Sequence, residues 1–164
     1  YKRHYQDSDR QSGCLSKQAW PHLDNTFCAY SYDEHGRVVI SSALTDPAQQ
    51  GMANRTLEMA GLDRTPAVNA AYQQLGLIYD ITSNRERAWR YASTALAVYQ
   101  QNPTDAQRMT ILDQAETTGF FSLWMKAFAG YPIMKKAFIE RFKAFGSCFD
   151  LNGNPISPRG PGRI

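Results

Sequence analysis

The sequence predicts a mainly α protein, a compact bundle of five or six helices with a small N-terminal β-hairpin. Three observations carry that expectation. Apolar residues recur every three or four positions through most of 46–145, the spacing that places them on one stripe of a helix. Helix punctuation divides the same stretch: Asp46-Pro47, Thr65-Pro66, Thr104 with Gln107, and Pro132 start segments, and Gly61, Gly119 and Gly146 stop them. The one alternating stretch, Thr26 to Ile40, is short and has turn-forming residues, Asp33 to Gly36, at its middle.

Residues 1–45 read as an N-terminal arm that ends in the hairpin. Tyr1 to Leu23 is polar and turn-rich, with Trp20 and Leu23 as its anchors on the body, and Phe27, Ala29, Tyr30 and Tyr32 lead into the turn before Val38 to Ile40. An isolated hairpin is marginal in water, so this one is expected to pack on the body. Residues 46–149 read as the helical bundle. Asp46-Pro47 opens a first helix with Met52, Ala53, Thr56, Leu57, Met59 and Ala60 inward. Thr65-Pro66 opens a second, with Val68, Ala71, Tyr72, Leu75, Ile78 and Tyr79 on one face. Ser83 and Glu86 make a capping-box pattern that launches a third in a new direction, its inner stripe Ala88, Ala92, Ala95, Leu96 and Tyr99 and its stop Asn102-Pro103. After Thr104, a narrow stripe of Met109, Leu112 and Ala115 runs to Gly119. Phe120 to Ala129 is apolar on nearly every side and belongs at the buried centre. The last helix, Pro132 through Phe145, carries Met134, Phe138, Phe142 and Phe145 on one face and Lys135, Lys136, Arg141 and Lys143 as a basic rim. Residues 150–164 read as a flexible basic tail containing Arg159 and Arg163.

A chain of 164 residues that is 43% hydrophobic can bury a real core as a single domain. No apolar run approaches the roughly 20 residues that cross a bilayer. The chain opens on Tyr1 without a charged, apolar and small-residue leader, and since Met does not begin it, that says little about compartment. A formal charge of +3 is too mild to imply nucleic acid by itself. Of the three cysteines, Cys14 and Cys28 are near enough in sequence to form a disulfide, which would mean a secreted or periplasmic setting; in a reducing one, all three including Cys148 stay thiols.

Chemistry-bearing constellations are sparse. Cys14, His22, Cys28 and His35 are separated by seven, five and six residues, unlike zinc modules, whose paired ligands sit two to five apart, so no metal site is expected. Glycine loops for phosphate or dinucleotides are missing, so no cofactor is expected either. No catalytic residue can be named. Glu34, Glu58, Glu86, Glu116 and Glu140 are available for acid and base work, but such partners meet in space and the sequence does not pair them.

Two resemblances add to this reading. Tyr72, Leu75, Gly76, Tyr79, Ala88, Ala95 and Leu96 have the spacing of a tetratricopeptide repeat, and the segment resembles one such helical hairpin. It departs from the family at Ala92, where an aromatic is usual, and at Pro103, which falls late. One period of about 34 residues on, only a faint echo remains, at Ala106, Met109 and Thr110. The decapeptide Tyr30 to Val39 resembles a single YD repeat of the large bacterial shells that carry polymorphic toxins.

A close-packed helical scaffold with one tetratricopeptide-like hairpin, extended polar ends suited to ordering on a partner, and the lack of a catalytic constellation give the leading expectation: a non-enzymatic interaction or structural component of a larger assembly. The partner surface is then expected at Lys135, Lys136, Arg141, Lys143, Arg159 and Arg163. Membrane or nucleic-acid contact through these cations is the less favoured use. The competing class, a bacterial secreted effector or toxin domain, membrane-active or hydrolytic, is supported by the mild basicity, the single YD-like match and the cationic aromatic last helix.

Overall fold

The computed structural model describes residues 26–63, 81–144 and 149–155. It is mainly helical, with one two-stranded antiparallel hairpin near the N-terminus. In chain order the elements are α1 (Thr26–Ala29), β1 (Tyr30–Tyr32), β2 (Val38–Ile40), α2 (Pro47–Ala60), α3 (Ile81–Gln101), α4 (Asp105–Thr118), α5 (Phe121–Ala127) and α6 (Pro132–Arg141). The helix expected over 65–80, and with it the first half of the tetratricopeptide-like hairpin, lies outside the described residues, as do Cys14, Cys148, Arg159 and Arg163.

The chain divides into two compact units, and the division falls inside the hairpin: residues 32–37 at its tip go with the second unit, the rest of both strands with the first. In the first unit, Ala29, Leu44 and Ala53 form a small buried cluster, with Tyr30 and Ile40 against it. The Tyr30 hydroxyl donates to the Ala53 carbonyl at 3.0 Å, fixing β1 against α2. Asp46 caps α2 as its sequence predicts, accepting from the Ala48 amide at 2.7 Å, and Pro47 occupies the first helical position. Gly61 ends the helix in the left-handed region: its amide donates to Glu58 and that of Leu62 to Leu57, the Schellman arrangement. The residues before β1 depart from expectation. Thr26–Ala29, grouped with the strand by alternation, forms a single helical turn, because a run this short satisfies either period.

In the second unit, α3 packs on α4 and α5, and α6 packs on α4 and α5. Ala88, Ala92, Ala95 and Tyr99 of α3 are buried as the inner stripe requires, and the alanines leave room for close approach. Helix α3 already runs from Ile81. Ser83 and Glu86 therefore lie within it and do not cap its start, and Thr82 and Arg85 are buried one turn before the alanine stripe. The Thr104 and Gln107 capping box on α4 forms as read, with both reciprocal bonds present. Its stripe is set by Ile111, Leu112 and Ala115, whereas Met109, expected inward, is half-exposed.

The expected apolar centre is there. Leu123, Trp124, Met125 and Phe128 are all buried, and Phe128 meets the rings of Tyr99, Trp124, Tyr131 and Phe138 at centroid separations of 6.0, 6.4, 6.1 and 5.5 Å. These contacts outweigh the unit's surface ion pairs. Arg141 bonds Asp113 at 2.7 Å and Glu116 at 2.8 Å, but both carboxylates are well exposed, where such a pair contributes at most about 1 kcal/mol.

Helix α6 stops earlier than its sequence suggests. Its last residue is Arg141, and Lys143 takes the left-handed conformation (φ 52°) reserved in the sequence reading for Gly146. The Lys143 amide donates to Glu140 and that of Ala144 to Ile139, a Schellman motif with lysine at the usual glycine position. A non-glycine residue there costs roughly 1–2 kcal/mol, while glycine costs about 0.5–1 in unfolded-chain freedom. Lys143→Gly is therefore expected to stabilise the protein by roughly 0.5–1 kcal/mol, read as a rise in the urea midpoint at unchanged slope.

Candidate interaction surface

Among the described residues an open surface lies between α3 and α4. The link 102–104 is too short for anything but a reversal, so α4 returns along α3. Between them runs a hollow of about 300 Å³, walled by Tyr91, Thr94 and Val98 from α3 and by Ala106, Thr110 and Gln114 from α4. Buried Ala95 and Ile111 make its floor. A second hollow, of about 480 Å³, shares Tyr91, Thr110 and Gln114 and continues to Asp113 and Thr117, so the two form one trough. Tyr91 and Val98 are 49% and 48% exposed, apolar surface that folding leaves in water.

The chemistry of this lining is contact area with neutral hydrogen-bonding groups. Among its described residues the one carboxylate, Asp113, is held by Arg141 at 2.7 Å.

The expected basic rim is redistributed by the fold. Lys135 is 5% exposed: its stem packs against Gly153 and its ammonium donates to the Asn154 side-chain oxygen. A lysine stem readily covers apolar surface in this way while its nitrogen reaches a polar partner. Arg141 is turned onto α4. Lys136 and Lys143 are exposed and border a shallow hollow with Ile139, Glu140 and Asp150. Among the described residues, the cations of α6 are thus divided between structure and solvent and do not form one strip. Cys28 is exposed at the end of α1.

Two other places are built with care, and both are variants of one turn. Asp33 to Arg37 closes the hairpin: the Asp33 amide donates to the Arg37 carbonyl and the Gly36 amide to the Asp33 carbonyl, each at 3.0 Å, with Gly36 left-handed at φ 77°. This is the three-residue hairpin loop with a glycine bulge. The Asp33 carboxylate accepts from the His35 and Arg37 amides, each at 2.9 Å, and from the Arg37 guanidinium at 2.6 Å. Asp150 to Asn154 repeats the pattern, with Asp150 to Asn154 at 2.8 Å, Gly153 to Asp150 at 3.0 Å, and Gly153 at φ 73°. The chain therefore does not lose its structure at Asp150; residues 149–155 form a closed turn, bridged between Phe149 and Pro155.

Each turn is pressed onto a helix through its glycine. Gly36 faces Trp89 and Gly153 faces Lys135. At the first, the buried Arg85 side chain donates to the Gly36 carbonyl at 3.0 Å, and the Trp89 indole donates to the Glu34 carbonyl at 3.1 Å. Tyr32 stacks on Trp89 at 5.7 Å and its hydroxyl shares a hydrogen bond with Ser122 at 2.8 Å. Burial pushes the Tyr32 pKa up, more than the Ser122 bond and the nearby Arg85 charge pull it down.

Asp33 supplies a pH test of the turn. Desolvation pushes its pKa up, but the Arg37 amide, the Arg37 side chain, the His35 amide and the Arg37 charge together outweigh it and hold the carboxyl below its ordinary value of 3.8. A group depressed in the folded state gives stability that is complete above its unfolded value and is lost as pH falls through its folded value. Asp33→Asn is expected to lower stability by roughly 1–2 kcal/mol near neutral pH and to lose less on acidification. Urea midpoints well above and well below pH about 4 check both statements.

Among the described residues no group of three His, Cys, Asp or Glu side chains stands where a metal would need it, and no helix is long and apolar enough to cross a membrane. Comparison with protein-family models, curated proteins and solved structures returns no match to this chain. The functional reading therefore stands on the surface itself. Sequence reasoning passed over Tyr91, Val98, Arg85 and Trp89. A signal was present: alongside its alanine stripe, α3 carries apolar residues at Tyr91 and Val98, which a single buried face does not account for.

Proposed function

We propose that this chain is a non-enzymatic protein-interaction or structural component of a larger assembly, and that the trough between α3 and α4 is where another protein sits. The observation that carries this reading is the half-exposed pair Tyr91 and Val98 over a floor of Ala95 and Ile111. Recognition grooves commonly combine an apolar bed with a few neutral polar groups at the edge, and Thr94, Thr110 and Gln114 supply the latter. The tetratricopeptide-like spacing around α3 agrees with a scaffold role.

The test places a photo-crosslinking amino acid at Val98, and as a control at exposed Gln100 on the same helix, in the full chain expressed in its native cells. A discrete crosslinked protein from position 98, absent from position 100 and suppressed by Tyr91→Glu, is the expected result. A chain that stays uncrosslinked from both positions and sediments alone from native extract overturns the reading.

A further inference from the structure

We infer that the occupant of the α3/α4 trough is an amphipathic helix carrying carboxylates at one end, the end that lies beside Arg87 and Arg90. This rests on the reading of the trough as a docking surface and adds the chemistry of its partner. Arg87 precedes Tyr91 by four residues and lies one turn beyond the trough on the same side of α3, and Arg90, four before Thr94, stands at its edge level with Tyr91. Both are exposed, and neither makes an ion pair among the described residues. The acids on the neighbouring part of α4 are already engaged, Asp113 and Glu116 each by Arg141, at 2.7 and 2.8 Å. At the other end Asp105 and Arg108 neutralise each other at 3.1 Å. Around the Arg87 mouth three cations, Arg87, Arg90 and Arg141, thus stand against two carboxylates, Asp113 and Glu116, a net single positive charge, while the other mouth is neutral.

Size selects the shape of the guest. From Arg87 to Val98 the surface runs about 16 Å at the helical rise. That is about three helical turns, enough to seat anchors at i, i+3 or i+4, and i+7 of a docked helix. Carboxylates at the Arg87 end would form charge-assisted contacts and steer encounter, while the apolar anchors supply the affinity.

Two synthetic peptides test this, each with one leucine stripe at helical spacing, flanked by Glu in the first and by Lys in the second. Fluorescence anisotropy against the full chain is expected to show the Glu peptide binding at least about tenfold tighter. The double substitution Arg87→Glu with Arg90→Glu should reverse that order, and Val98→Glu should weaken both peptides by at least about tenfold. Equal binding of both peptides to the unaltered chain would overturn the charge inference while leaving the trough a docking site. Failure of both peptides, with the Val98 crosslink still formed, would overturn the helical occupant alone. Glu-peptide binding untouched by Val98→Glu would place the site elsewhere and overturn the inference. So would self-association that Val98→Glu dissolves, since a second copy would then fill the trough.

Discussion

Replacing Gly36 with alanine is expected to destabilise the protein by about 3 kcal/mol, from two separate causes. The first is conformational: Gly36 sits at φ 77°, where a side-chain-bearing residue costs roughly 1–2 kcal/mol. The second is spatial. A Cβ built on Gly36 would lie 2.5 Å from the Cβ and 2.9 Å from the Cγ of Trp89, so either the turn or α3 must move, an overpacking cost of about 1–3 kcal/mol. Alanine's smaller freedom in the unfolded chain offsets only about 0.4–1 kcal/mol. Moving the turn also strains the bonds from Arg85 and Trp89 to the tip carbonyls. For a chain of this length the melting temperature should fall by roughly 10 °C. Asparagine, which tolerates the left-handed region better, should rescue little if the close approach dominates. Gly51→Ala is the contrasting control: nothing lies within 4 Å of a Cβ there, and within α2 alanine should stabilise by about 1 kcal/mol. Equal midpoints for Gly36→Ala and the unaltered protein would refute the packing of the tip on Trp89.

The elements that were legible in the sequence are those whose signal is local. Asp46-Pro47 and the Thr104 to Gln107 box fix backbone hydrogen bonds within four residues, and both form as read. The apolar density of Phe120 to Ala129 leaves few alternatives to burial, and Trp124 and Phe128 are fully enclosed. Local signals mislead where two of them compete or where a distant partner decides. Ser83 and Glu86 have the letters of a capping box, yet Ser83 can cap only where a helix starts, and α3 already runs from Ile81. Gly146 looked like the stop of α6, but Lys143 accepts the left-handed geometry three residues sooner. Met109 and Ile111 compete for the inward side of α4, and packing chose Ile111 with Leu112.

The surface was harder to read than the core for a related reason. Lys135 and Lys136 are adjacent and chemically equal, and only the fold separates them: Lys135 covers Gly153, while Lys136 stays in water. The Asp-x-x-Gly pattern was read as a turn at Asp33 to Gly36, but at Asp150 to Gly153 it lay hidden inside a composition typical of tails. The trough depends on α4 turning back along α3 far enough to leave Tyr91 and Val98 uncovered. A stripe of apolar residues shows what wants covering; whether the fold covers it depends on where the next helix lies.

The largest single loss is expected from Phe128→Ala, about 4 kcal/mol, because this side chain sits where α3, α5 and α6 meet. Phe128 follows the last turn of α5, and its ring meets Tyr99 from α3, Phe138 from α6, and Trp124 and Tyr131 on either side of it in sequence. It is wholly buried, so truncation removes its transfer free energy and leaves a cavity. The cavity cannot collapse easily, since its walls are rings on three separate helices and its neighbours hold their own bonds: the Trp124 indole donates to the Thr118 hydroxyl at 3.1 Å. Truncations of this kind cost about 3–5 kcal/mol, a large share of a typical stability of about 5–15. Phe128→Leu keeps most of the volume and should cost less than half as much. The two variants, compared by urea unfolding followed through tryptophan fluorescence, should keep the same slope and differ in midpoint. A Phe128→Ala midpoint within experimental error of the unaltered protein would mean that the aromatic cluster is not the interior that holds α3, α5 and α6 together.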